Sequence, residues 1–123
     1  MTVVTVTHDS RDAIDGFLAA LPAEVALVVV DNASRDGTPD AVARSRPAAR
    51  VIRNPDNRGF GAGCNAGLDA AATEFALLLN PDARLAPGAL EALVVAADRF
   101  PDAALLAPTI MGRDGRRVRS FDT

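Results

Sequence analysis

The sequence has no lysine, so its 13 basic residues are all arginine. A phosphate-binding P-loop needs its Gly-Lys-Ser/Thr and a Schiff-base enzyme needs an amine, so both classes are excluded. Tryptophan and tyrosine are also absent and phenylalanine occurs five times, which argues against an aromatic platform for single-stranded nucleic acid. The single cysteine, Cys64, excludes an internal disulfide framework and a cysteine zinc cluster, and fits a reducing compartment. Acids outnumber arginines, 16 to 13, for a net charge of −3, so no nucleic-acid surface is expected. No apolar run approaches the roughly 20 residues of a membrane helix. The chain opens on Val3, Val4 and Thr5 rather than a charged leader, and the expected location is cytoplasmic, with the inner face of the cell membrane as its nearest surface.

What is present describes a water-soluble core. With 123 residues, 49% hydrophobic and 24% charged, one domain over 1–123 is expected. Apolar runs recur at 3–6, 25–30, 51–52, 75–79 and 103–107. Those at 25–30 and 75–79 are continuously apolar, as in strands buried on both faces of a parallel sheet. Between them, Ile14, Phe17, Leu18 and Leu21 fall at i, i+3, i+4, i+7, and Leu90, Leu93, Val94 and Ala97 repeat the spacing, so each set makes one helical stripe. Thr38, Pro39 and Asp40 read as a capped helix start, and Pro87 as another. The fold class expected is α/β, an open and mainly parallel Rossmann-like sheet with helices on both faces. Gly112 to Gly115 reads as a turn, and Arg116 to Ser120 as the start of a short strand.

Ligands of open α/β sheets lie beyond the carboxyl ends of the strands, and polar residues gather there. Thr7, His8 and Asp9 follow the first run, Asp31, Asn32 and Ser34 the second, Asn54, Asp56, Asn57 and Arg58 the third, and Asn80 and Asp82 the fourth. The glycine-rich stretch from Gly59 to Gly67 lets backbone approach a ligand and aims amides at a phosphate. Gly61, Gly63 and Ala66 also satisfy a loose dinucleotide-binding spacing, which keeps a nicotinamide-dependent oxidoreductase open. Asp82 suits Mg2+ or Mn2+ held against a diphosphate, and Asn-Pro-Asp is equally the chemistry of a turn. Asp31 suits a nucleobase or ribose, and equally an Asx-turn, while Asp36, Gly37 and Thr38 look like turn and cap.

The segments V-V-V-D-N-A-S-R-D-G-T at 28–38, N-R-G-F-G-A-G-C-N-A-G at 57–67 and L-L-N-P-D-A at 78–83 together resemble family 2 glycosyltransferases, most closely the bacterial rhamnosyltransferase-like branch. The resemblance runs from Val3 to about Ile110. It implies the donor-binding half of a GT-A fold and transfer of a sugar such as rhamnose from a nucleoside-diphosphate sugar to a glycan or lipid-linked acceptor, in cell wall polysaccharide synthesis. By that resemblance Thr5 and Thr7 line the nucleobase pocket and Asp31 binds base or ribose. Arg58 meets the diphosphate or base, and Asn32, Gly61, Asn65 and Asn80 complete the donor-binding set. Asp82 is the metal-binding last member of the D-x-D element, with Asn80 where the first Asp often stands. An amide there adds no charge, so Mg2+ or Mn2+ should be held mainly once the diphosphate supplies oxygens.

The sequence departs from that family where His8 and Asp9 stand for Tyr and Asn and where Cys64 replaces Arg or Asn. It also lacks the acceptor-side half with its general base, since Asp114 and Asp122 lie in a polar tail. The expectation is a donor-binding part with negligible transfer alone and with sheet edges that favour self-association. A non-catalytic nucleotide-sugar-binding or assembly module is the alternative. The basic tail, Arg113, Arg116, Arg117 and Arg119, reads as a solvated loop, with anionic-membrane contact the lesser reading.

Overall fold

The computed structural model describes residues 1–118. Arg119, Ser120 and Asp122 lie outside the described residues. Where one core was expected from length, the chain forms two compact units, Met1–Ala86 and the segment from Pro87 onward.

The first unit alternates strand and helix: β1 (Thr2–Thr7), α1 (Arg11–Ala20), β2 (Ala26–Asn32), α2 (Thr38–Ser45), β3 (Arg50–Asn54), α3 (Phe60–Ala70) and β4 (Ala76–Leu78). All four strands are parallel, in the order β3-β2-β1-β4, with Thr7 opposite Asp31 and Thr2 opposite Ala76. The chain moves outward from β1 to β2 to β3, then jumps back to place β4 on the other side of β1. Right-handed crossovers therefore set α1 and α2 on one face and α3 on the other.

Glycine explains how closely α3 sits. A Cβ at Gly63 would lie 2.7 Å from Val6 Cγ1, and one at Gly67 would collide with Val4 Cγ1. The α3 side of the core is built on Val4, Val28 and Val30, with Val6, Ile52, Ala66 and Ala70 packed against them. The spacing that suggested a dinucleotide fingerprint is thus accounted for at Gly63 and Ala66 by helix–sheet packing. Of the residues in that spacing, Gly61 alone faces open space. On the other helical layer Ile14, Phe17, Leu18 and Leu21 are all buried, as their spacing predicts. Arg46, just past α2, donates to the carbonyls of Leu18, Pro22, Ala23 and Val25 and ties the α1–β2 connection down.

Four expectations need correcting. The run at 75–79 is not buried on both faces: among the described residues β4 has only β1 as a neighbour, and Leu78 is 41% exposed. The run at 103–107 forms no strand: among the described residues none pairs with it, and Leu105 is 84% exposed. Thr38 is not the cap of α2. Gly37 takes that position at φ 84°, and Asp36 Oδ1 accepts from both the Thr38 amide (3.1 Å) and hydroxyl (2.5 Å). Pro87 does not begin α4 (Ala89–Arg99), whose N-cap is Gly88 at φ 78°.

In the second unit Leu90, Leu93, Val94 and Ala97 lie on one half-buried stripe of α4. Beyond it β5 (Ile110–Met111) and β6 (Arg117–Val118) pair antiparallel around the turn expected at Gly112 to Gly115. Arg113, Arg116 and Arg117 are exposed. No helix among the described residues is long and apolar enough to cross a membrane.

Candidate functional site

The reversal of strand order falls between β1 and β4, where the loops leaving the two carboxyl ends diverge. Such switch points are where open α/β sheets bind ligands. A cleft of about 360 Å³ lies there, lined by Asp9, Ser10, Asp12, Ala13, Asn80, Pro81 and Asp82. Strand β4 is held into position by Leu79 N donating to Val4 O (3.0 Å), so the Asn80–Asp82 turn emerges directly beside the end of β1.

The second wall is a pair of interlocked loops. After β1, Asp9 N donates to Ser34 Oγ (2.8 Å), while Asp9 Oδ1 accepts from Arg35 N (2.7 Å). Ser10 N donates to Thr38 Oγ1 (3.0 Å) and Arg11 N to Asp36 Oδ2 (2.8 Å). His8 Nδ1 lies 2.6 Å from Asn32 O. Two non-glycine residues, Asp9 at φ 48° and Ala33 at φ 58°, take left-handed conformations there, which the cross-loop bonds hold in place. The bond from Thr38 keeps the Asp36 carboxyl below its ordinary value, as expected when the hydrogen bond favours the charged form.

Beneath this rim sits Asp31. Its Oδ1 accepts from Thr7 Oγ1 (2.7 Å) and Ser34 Oγ (2.6 Å), and its Oδ2 from Ser34 N (2.9 Å). Thr7 and Asp31 are 0% and 2% exposed, and Thr5 is 1% exposed. Alternation along the strands turns these side chains to the face away from α3. Thr5 and Thr7 were expected to line a nucleobase pocket. Both are buried and neither lines the cleft; Asp31 is bonded to Ser34, three residues on, and the Asx-turn of this loop falls at Asp36, which accepts from Thr38 N. Among the described residues Thr5 Oγ1 has no hydrogen-bond partner.

The other expected residues are spread around the rim. Asn32 is buried, with Nδ2 donating to Gly59 O (3.0 Å) and Oδ1 accepting from Asn54 Nδ2 (2.8 Å), so it anchors the start of α3. Arg58 is exposed and pairs with Asp56 (3.0 Å). Gly61 and Asn65 lie on exposed positions of α3. None of these four lines the cleft, whereas Asn80 and Asp82 do. Sequence reasoning missed Asp12 in the cleft, whereas Ser34, noted at the strand's end, and Asp36, read as a turn residue, both serve the loop lock. The signal for Asp12 was an acid in the first turn of a helix that starts at the rim. Cys64 is buried, and desolvation raises its thiol pKa, which suits a small core residue rather than a nucleophile.

The cleft lining carries three carboxylates and no cationic side chain. Among the described residues, however, no three His, Cys, Asp or Glu side chains converge to hold a metal by themselves. The donor set therefore fits a hard cation that brings further oxygen ligands with its substrate, and not a cation held by protein alone.

Residues 2–121 match the family model described as Glycosyl transferase family 2. An N-acetylglucosaminyl-diphospho-decaprenol L-rhamnosyltransferase of Mycobacterium tuberculosis is 32% identical over 130 residues, which cover 94% of this chain and 42% of that protein. The chain thus spans about two fifths of that relative's length. The structure is similar to S. aureus TarS residues 1–349 in complex with UDP-GlcNAc, with a TM-score of 0.71 and 27% identity over 81% of this chain and 31% of that one. It is also similar to the mannosyltransferase PcManGT of Pyrobaculum calidifontis in complex with GDP-Man and Mn2+, with a TM-score of 0.70 and 30% identity over 76% and 30% of the two chains.

Proposed function

The chain belongs to glycosyl transferase family 2, and on that premise we propose that it binds a nucleoside-diphosphate sugar and presents its diphosphate for glycosyl transfer. The observation that carries this reading is the placement of Asp82 and Asn80 in a cleft at the β1–β4 switch point. Asp82 would hold a divalent cation together with oxygens of the diphosphate, and Asn80 would offer its amide to a donor hydroxyl. When bound, Mg2+ or Mn2+ supplies neutralisation of the charge that builds on the departing diphosphate. The Asp31–Thr7–Ser34 cluster holds the second wall rigid, so binding does not have to order that loop pair.

The complexes of similar proteins with UDP-GlcNAc and with GDP-Man and Mn2+ support a nucleotide-sugar donor and a divalent cation. The mycobacterial relative supports rhamnose as the sugar and a diphospho-decaprenol-linked acceptor. Calorimetric titration of the chain with UDP, dTDP and GDP, with and without Mn2+, tests the reading. Mn2+-dependent diphosphate binding that falls at least tenfold in Asp82→Ala is expected. No nucleotide binding by a demonstrably folded chain, or binding of NADH alone, overturns it.

A further inference from the structure

Arg84 follows Asp82 by two residues, and its guanidinium turns back onto the protein. Nη1 donates to the carbonyls of Pro81 and Ala83, both at 2.9 Å, and Nη2 donates to Ala13 O at 3.1 Å. Pro81 and Ala13 lie on opposite walls of the cleft. The approach to α1 exists because residue 16 is glycine: a Cβ there would lie 2.6 Å from Nη2 and 3.3 Å from Cζ.

We infer that Arg84 is a positioning residue that latches the Asp82-bearing turn onto α1 through the gap at Gly16, and so sets the separation of the two cleft walls. The inference rests on the donor-site reading above. All three acceptors are backbone carbonyls, so the latch constrains main chain whatever side chains flank it. The turn's own bond, Ala83 N to Asn80 O (3.0 Å), closes the turn without tying it to α1. A planar guanidinium serves three carbonyls at fixed angles, which the compact ammonium of lysine does not. The bonds are exposed to water, so their effect is to bias the position of one turn and not to support the fold.

Two variants separate this role from a structural one. Arg84→Ala removes the latch, while Gly16→Ala pushes the guanidinium off α1, keeps every charge and improves helix propensity. Amide exchange at Ala83, whose N–H is held by Asn80 O in that turn, is expected to quicken about fivefold or more in both, with the melting temperature of Gly16→Ala no lower than that of the parent chain. Affinity for UDP with Mn2+ is expected to fall roughly fivefold, the loss of about one hydrogen bond's worth of orientation, while affinity for UDP without metal changes less than twofold. Arg84→Lys is expected to behave as Arg84→Ala. Unchanged exchange overturns the latch. Binding of UDP with Mn2+ in the parent chain and equally in both variants overturns the positioning role alone. Protected amides without any metal-dependent UDP binding in the parent chain overturn the donor-site reading, and the role with it.

Discussion

Thr7 donates a 2.7 Å hydrogen bond to Asp31 across the paired carboxyl ends of β1 and β2, with both side chains buried. The bond supplies a carboxyl acceptor that, among the described residues, has Ser34 as its one further partner. Replacing Thr7 by valine keeps the shape and leaves the carboxylate short of a donor. Thr7→Val is expected to lose about 1.5–3 kcal/mol in urea unfolding, and an unchanged midpoint would sink the idea that the hydroxyl serves Asp31.

Thr5 stands two residues earlier on the same face, and the same substitution there has the opposite sign. Its hydroxyl is buried without a partner among the described residues, so Thr5→Val relieves a desolvated donor. A gain of about 1 kcal/mol is expected, together with unchanged nucleotide affinity. A weaker affinity would show that Thr5 meets the ligand after all.

The glycines of α3 divide in the same way. Gly67→Ala drives a methyl into Val4 and is expected to cost about 1–3 kcal/mol, whereas Gly61→Ala enters open space and is expected to gain up to about 1 kcal/mol from helix propensity. Thermal melts of the two variants moving in the same direction would contradict the packing described for α3.

Acid should loosen the loop lock. The Asp36 carboxyl is held below its ordinary 3.8 first by Thr38, and Asp40 likewise by Arg53. A group whose folded pKa is depressed stabilises above its unfolded value and loses that contribution as pH falls through the folded one. The window therefore lies below about 3.8. Melting temperatures measured at pH 6 and pH 3 should differ less in Asp36→Asn than in the parent chain, and an equal difference would rule out Asp36 as a contributor.

Cys64 provides a probe of opening. Burial keeps its thiol protonated and covered, so alkylation in the native state is expected to be far slower than in urea and to track unfolding as denaturant rises. Native labelling as fast as in the unfolded chain would contradict its placement on the buried face of α3.

The parallel strands were legible because continuous valine runs have few other uses, and α1 because four apolar residues keep one spacing. Strand order was not, since nothing local to Phe75 or Leu79 tells which neighbour β4 will choose. The run at 103–107 is as apolar as a strand yet finds no partner, so composition alone misled. Asp82 could be found because an acid at a strand's end is conspicuous. The burial of Thr5 and Thr7 could not, because it depends on loops that reach across from β2. Arg84 was silent for a related reason: it matters through Gly16, far away in sequence and adjacent in space.

The sheet's reversal also ranks the cost of assembling the cleft. Contacts between β1 and β2 and between β2 and β3 join residues 24 and 22 positions apart, but those flanking the β1–β4 pairing span 71. Closing that longer loop costs about 1 kcal/mol more chain entropy than either of the shorter crossover closures. The walls that carry Asp9 and Asp82 thus come from opposite ends of the first unit's chain. A chain with β1 to β3 paired and β4 not yet docked would hold the loop lock without the cleft, so the two walls meet only in molecules that have completed the long closure.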